Sequence, residues 1–501
     1  MTSRSAGPVE HQPFLLGTRA VAVLCCAPAL VVVLPSHPPL TDFPQHAAVA
    51  SILDHLGDPT FDFARYYMLS LARTLYWLPY ALTWLLGQVL GVELGLRLVV
   101  GMSAVAVPLG VLAVVRATGR PASVALLAVP LTFNQGLFFG FHHFLLATGL
   151  AFVTYALLIA PAWNRWRGLL ATLALAASVL THVYGLALVL AMTAVHAAFG
   201  DRARLRSRAI VLAPAVLGTI AWIWLGSRPA GYGQSQSPPL SERVLGLPDA
   251  ILGGYRDGTE VILLLLVLGV AVVGSVPSLR RWSAIPVWRR VALVGLAGNL
   301  LLYLVLPMHT ATAKFIHFRH AVLAALFVPL AADLEGLRRA RLLAWLLTAG
   351  AAVFALVNAG AHAFAFNREA SAFDAIVEAV PMRARVVGLV VDPRSDFLAT
   401  APYLHFPAYI QARRGGLTAV TFPRLFWNMP VAMRADAAVP PTPIDFEWKP
   451  GAYDERAFGW YYDWAIVRLS SNDILAQSPE FPFTLALKQG RWQLYRRAVP
   501  R

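Results

Sequence analysis

Apolar segments recur from Phe14 to Val357, and short arginine-rich junctions separate them. One soluble core does not bury so much continuous apolar chain, whereas a bilayer accepts it. The spans read Phe14–Leu34, Leu96–Val115, Ala122–Thr132, Leu137–Ala160, Leu169–Leu180, Gly185–Phe199, Ile210–Leu225, Val261–Val276, Val291–Val305, Ala321–Ala331 and Leu342–Val357. That is about eleven, and several are short for a ~30 Å hydrocarbon core, so their ends are expected to extend. The first is too long for a signal-peptide core and lacks a small-residue cleavage site, so it is expected to stay as an anchor. Thr74–Glu93 is apolar too, but its aromatics Tyr76, Trp77, Tyr80 and Trp84 suit a helix lying at the interface.

Charge sharpens this reading. The 501 residues are 58% hydrophobic and only 13% charged, against about 25% charge in an ordinary soluble domain. A net charge of +15 would suit a nucleic-acid partner, but the arginines sit in clusters between spans: Arg202, Arg204, Arg206 and Arg208; Arg280, Arg281, Arg289 and Arg290; Arg338, Arg339 and Arg341. That is the positive-inside pattern and not a nucleic-acid footprint. With the N-terminus cytoplasmic, every basic cluster falls on one side. Pro35–Arg73, Gly226–Glu260, Pro307–Arg319 and the C-terminal region fall on the other. Cys25 and Cys26 are adjacent within the first span and frame neither a disulfide scaffold nor a zinc site.

From about Asn367 charges and prolines return, and strand-like runs alternate with turns. Ala372–Val380 is predicted as a helix, Val386–Val391 and Trp464–Leu469 as strands, and Phe483–Leu487 with Trp492–Tyr495 as a hairpin around Gln489-Gly490. The predicted architecture is a polytopic α-helical membrane domain over residues 1–363, with a catalytic first outer loop at 36–73. An extracytoplasmic α/β domain follows at 364–501.

Candidate chemistry concentrates on the outer side. In Thr41-Asp42-Phe43-Pro44-Gln45-His46, Pro44 suits the first residue of a helix running towards Leu56. Asp42 then either caps that helix or acts as a general base on an acceptor. Of thirteen histidines, His11 and His196 alone fall on the cytoplasmic side. His46, His142, His143, His182 and His309 belong to the other face, with His37, His55, His317 and His320, where they can share a polar cavity. Asp42 with His46 and one or two further histidines can hold a divalent metal; singly, such histidines bond to helix ends. Lys314 and Arg319 in the late outer loop suit a phosphate head group or ordinary lipid contact, and Arg65 and Arg73 are weaker candidates of the same kind. No nucleotide-binding glycine loop, GxSxG or HExxH occurs.

These residues, in this order, resemble a known superfamily. A first span leads to an outer loop with an early Asp, then an aromatic segment and a span opening Leu96-Arg97. Phe139-Gly140-Phe141-His142-His143-Phe144, Leu180-Thr181-His182-Val183-Tyr184-Gly185 and the loop from Leu306-Pro307 to Phe318-Arg319-His320 follow, and an α/β domain closes the chain. The pattern is similar to the GT-C class of polyprenyl-phosphate-sugar-dependent glycosyltransferases, which includes protein O-mannosyltransferases and the lipid A aminoarabinose transferase. The resemblance implies a bacterial inner-membrane enzyme that moves a sugar, with inversion, from a polyprenyl-phosphate lipid to a lipid, glycan or protein acceptor outside the cytoplasm. It implies Asp42 as base or acceptor holder, Arg319 on the leaving phosphate with Lys314 as helper, and His46, His142, His143, His182 and His309 lining the cavity or holding a divalent metal. A transporter or flippase of a lipid-linked or anionic substrate, and a non-catalytic scaffold subunit for envelope polysaccharide, remain as alternatives.

Overall fold

The computed structural model describes residues 17–200, 202–225, 237–279, 285–310, 314–334, 337, 340–469 and 481–498. His11, Arg280, Arg281, Arg338 and Arg339, part of the first span and residues 311–313 of the late outer loop lie outside them.

Among the described residues five helical stretches are long and apolar enough to cross a membrane: Val92–Ala117, His142–Ile159, Leu205–Leu225, Val287–Val305 and Leu342–Ala379. Thr18–Val33, Ala122–Thr132, Tyr184–Phe199, Thr259–Ser275 and Ile316–Ala331 are apolar but shorter, and Arg165–Val179 is a helix of 15 residues. Breaks account for part of the shortfall. Pro28 opens a second helical piece inside the first span, and Ala122–Leu127 is 3-10 rather than α.

The first outer loop is not a free loop. Its helix Phe43–His55 is buried over most of its length, because the C-terminal part of the chain folds onto it. Gln45 Nε2 donates to the Val420 carbonyl at 3.1 Å, and its Oε1 accepts from the Phe422 N–H at 3.0 Å. Ser51 Oγ donates to the Ala412 carbonyl at 2.7 Å. Farther on, strand β1 (Tyr67–Leu69) pairs antiparallel with a strand of the C-terminal region, Val431–Met433.

That region carries a five-stranded sheet. In chain order β2 is Arg385–Val390, β3 Leu417–Thr418, β4 the strand Val431–Met433 already paired with β1, β5 Trp464–Arg468, β6 Phe483–Gln489 and β7 Trp492–Arg497. The sheet order is β3-β2-β5-β7-β6, with β2 parallel to β3 and β5, and β7 antiparallel to β5 and β6. Gly490 supplies the positive φ (58°) in the hairpin between β6 and β7. Both faces are covered, and the inner stretches Val386–Val390 of β2 and Ala465–Val467 of β5 carry no polar side chain. Val386, Val390 and Ile466 join the core that continues into the membrane helices. Val387, Leu389, Ala465 and Val467 pack instead with Phe63, Tyr66 and Tyr67 of the first outer loop. The period of two along each strand therefore joins two cores through one sheet.

Arg413 ties the same pieces electrostatically. Its guanidinium bonds Glu93 at 2.5 and 2.9 Å and Asp374 at 2.7 Å, and Asp374 also meets His37 Nε2 at 3.1 Å.

Candidate active site

A cavity of about 300 Å³ opens where the first outer loop, the turns before two membrane helices, the late outer loop and the C-terminal region meet. Asp42 stands at its edge by virtue of three contacts. Its own carbonyl accepts the His46 N–H at 3.0 Å, the first turn of the helix. The Thr41 and Asp42 N–H groups donate to the carbonyls of Phe138 and Phe139 at 2.8 and 3.1 Å. The third is a close approach at Gly140 (φ +100°), where a Cβ would lie 2.7 Å from the Asp42 Cβ. Gly140→Ala is accordingly expected to cost about 2 kcal/mol or more, through the positive φ and the overlap. It should displace Asp42, which thermal melting and the transfer assay described below would register together.

Asp42 occupies the N-cap position, yet its carboxylate makes no capping bond. Of the two readings the sequence left open, the side chain does not take the cap. Oδ1 instead lies 3.0 Å from Nδ1 of His405, off the line of the ring N–H, so the contact is electrostatic rather than a formed hydrogen bond. Pro44 is the second residue of the helix, one place later than expected.

The histidines divide. His46, His143 and His182 line the cavity. His142 sits behind them, its ring centroid 4.5 Å from that of His46 and 4.2 Å from that of His143. His46 Nδ1 is 2.7 Å from the Tyr80 hydroxyl, and His182 stacks on Tyr76 at 4.8 Å with Nε2 3.2 Å from its hydroxyl. His309 is not among the lining residues. Its Nδ1 accepts the N–H of Phe315 at 3.3 Å, which supports a bulky residue held at φ 57° just ahead of the helix Ile316–Ala331. His317 stacks on Tyr303 and His320 bonds Asn299; neither lines the cavity.

The two cations also differ. Arg319 lines the cavity, its guanidinium 4.7 Å from the centre of the Phe141 ring. One terminal nitrogen donates to the carbonyls of Lys314 and Phe315 at 2.7 and 3.2 Å, while Nε is buried with no hydrogen-bond partner among the described residues. Lys314 reaches the cavity too, but Asp445 at 2.6 Å and Glu447 at 3.8 Å neutralise it. Arg65 is 3.9 Å from Asp62 and Arg73 is exposed; both stand outside the cavity. Phe139, Phe141, Phe144 and Phe315 give one apolar wall.

Sequence reasoning missed His405, Glu447 and Phe422, which the C-terminal region brings to the cavity, and the inward role of Tyr76 and Tyr80. A helix does run from Trp77 to Leu90, with Trp84 exposed as an interfacial helix would have it. Tyr80, however, is buried against His46 and His143. A lone histidine in an otherwise aromatic stretch of the soluble region was the available signal for His405.

Two crystal structures have a similar fold. ArnT from Cupriavidus metallidurans in the apo state superposes with a TM-score of 0.57 at 15% identity, over 97% of this chain and 98% of that one. The same protein bound to undecaprenyl phosphate gives 0.55 at 16% identity over the same shares. The chain has the ArnT fold. The likeness spans the apolar helices and the C-terminal region together. No protein-family model matches the sequence, and no curated protein matches it.

Burial, reinforced by His142 and His405, pushes the pKa of His46 well below its ordinary 6.5. A histidine buried neutral must be charged on unfolding in acid. Its contribution is therefore present above about pH 6.5 and is lost as pH falls towards the folded pKa. The native chain should melt at progressively lower temperature below pH 6.5, and His46→Gln should flatten that slope.

Proposed function

We propose that the protein transfers a sugar from a polyprenyl-phosphate donor to an acceptor at the outer face of a bacterial inner membrane, the cytoplasmic side holding its N-terminus. The observation that carries this reading is one cavity lined at once by a carboxylate that makes no capping bond, a guanidinium whose buried Nε has no partner among the described residues, and a phenylalanine wall. A lipid phosphate sugar presents complementary parts: an apolar chain, an anionic phosphate and an anomeric carbon. The ArnT structure that holds undecaprenyl phosphate supports the reading through the shared fold.

The chemistry balances as a single displacement. An acceptor hydroxyl gives its proton to Asp42 and bonds to the anomeric carbon, while the bond from that carbon to the phosphate oxygen breaks. The departing phosphomonoester carries one more negative charge than the donor, and Arg319 is placed to stabilise it as it forms. One nucleophile attacking opposite one leaving group inverts the anomeric centre.

The test uses the full chain, purified and reconstituted, with a panel of radiolabelled polyprenyl-phosphate sugars and bacterial membranes as acceptor source. Label moving to membrane material from one donor supports the proposal. A panel from which a folded protein transfers nothing overturns it.

A further inference from the structure

We propose that His46, His142 and His143 form a three-histidine site for a zinc-class divalent ion, set into the wall of the cavity that Asp42 lines. Among the described residues these three offer ligand nitrogens that all lie within 4.8 Å of one another, and all three side chains are buried. Asp42 is outside the group, so the ligand set differs from the Asp42–His46 pair expected from the sequence.

Hydrogen bonding around the rings decides which nitrogens carry lone pairs. His142 Nδ1 lies 2.9 Å from the Gly140 carbonyl, which can only accept, so Nδ1 holds the proton. The lone pair of its neutral ring is then on Nε2, which is buried with no hydrogen-bond partner among the described residues. His143 Nε2 is buried and unpartnered in the same way. His46 Nδ1 lies 2.7 Å from the Tyr80 hydroxyl oxygen, which also has the Met429 sulfur within 3.5 Å. When Nδ1 donates to that oxygen, His46 Nε2 carries the lone pair. Buried polar nitrogens without partners are costly, and two adjacent ones in a triad are better explained by a shared cation than by packing.

This is also how metal-bound histidines are normally held: the far ring nitrogen donates to a carbonyl or another oxygen, fixing tautomer and orientation. Three neutral imidazoles favour Zn²⁺, Co²⁺, Ni²⁺ or Cu²⁺ over Mg²⁺ or Ca²⁺, which take oxygen ligands. Nitrogens at ~2.1 Å from a tetrahedral ion are roughly 3.4 Å apart, so the rings close inwards by about 1 Å on binding. His46 and His143 line the cavity, so the fourth position opens towards it. The ion would tie the first outer-loop helix to the start of the membrane helix His142–Ile159.

The site does not depend on the transferase reading: metal binding and sugar transfer are measured separately, and either can fail alone. The full chain, purified on a tag without histidine, is stripped with a chelator, given Zn²⁺, desalted and counted by elemental mass spectrometry. We expect one zinc per chain in the native protein and in His309→Ala, and none above background in His142→Ala or His143→Ala. Tyr80→Phe keeps the fold's apolar contacts while removing the oxygen behind His46, and should bind 10–100-fold more weakly. Cobalt in place of zinc should give the intense visible bands of a four-coordinate nitrogen-ligated ion. A folded native protein that retains no more zinc than His142→Ala overturns the proposal, leaving an uncharged histidine triad. So does equal retention by Tyr80→Phe and native protein across the titration.

Discussion

Replacing Asp42 with asparagine is expected to lower transfer by 10²–10⁴-fold, the range for loss of a general base, while leaving the fold intact. The second half of that expectation follows from the side chain's making no capping bond. The helix Phe43–His55 begins through backbone contacts to Phe138 and Phe139 and through Pro44, none of which the substitution touches. The amide keeps the shape, and loses the proton affinity and the charge facing His405. Melting temperature and single-turnover transfer measured on the same preparation separate the two roles. Transfer surviving in a folded Asp42→Asn would remove Asp42 from the chemistry.

Arg319 should give the second large effect. Arg319→Gln is expected to reduce transfer by 10²–10³-fold, the usual cost of removing a donor aimed at developing charge. Arg319→Lys should recover only part of it, because an ammonium cannot both hold the Lys314 and Phe315 carbonyls and present a planar fork to phosphate. A purely structural Arg319 predicts a different pattern, in which the loss follows the melting temperature. Comparing donor KM with the rate of the bound complex tells them apart: loss of leaving-group stabilisation lowers the rate and leaves KM close to native.

Asp42, Pro44, the histidine-rich outer side and the cations at 314 and 319 were readable because each is local: a turn signal, a loop composition, a break in charge bias. The strands around Val386 and Trp464 and the hairpin at Gly490 were readable from their periods. What could not be read was convergence. Gln45 meeting Val420 and Phe422, Arg413 meeting Glu93, and His405 meeting Asp42 all join residues hundreds of positions apart. No propensity or motif encodes such pairings. The aromatics at Tyr76 and Tyr80 fit a membrane interface by composition, and only the placement of His46 and His143 turns Tyr80 inward. Lys314, read as a cation for phosphate, does line the cavity, but its pairing with Asp445 from the C-terminal region is another contact that no local signal showed.

The pairing of β1 with β4 has a bearing on how the protein is made. Asp42 is synthesised more than 350 residues before the strand that pairs with its loop and before His405, Phe422 and Glu447 beside it. The loop therefore cannot take its final place until that later segment docks onto it. On the proposed function, catalytic competence would arrive only with that docking, and a chain released before it would lack a finished centre.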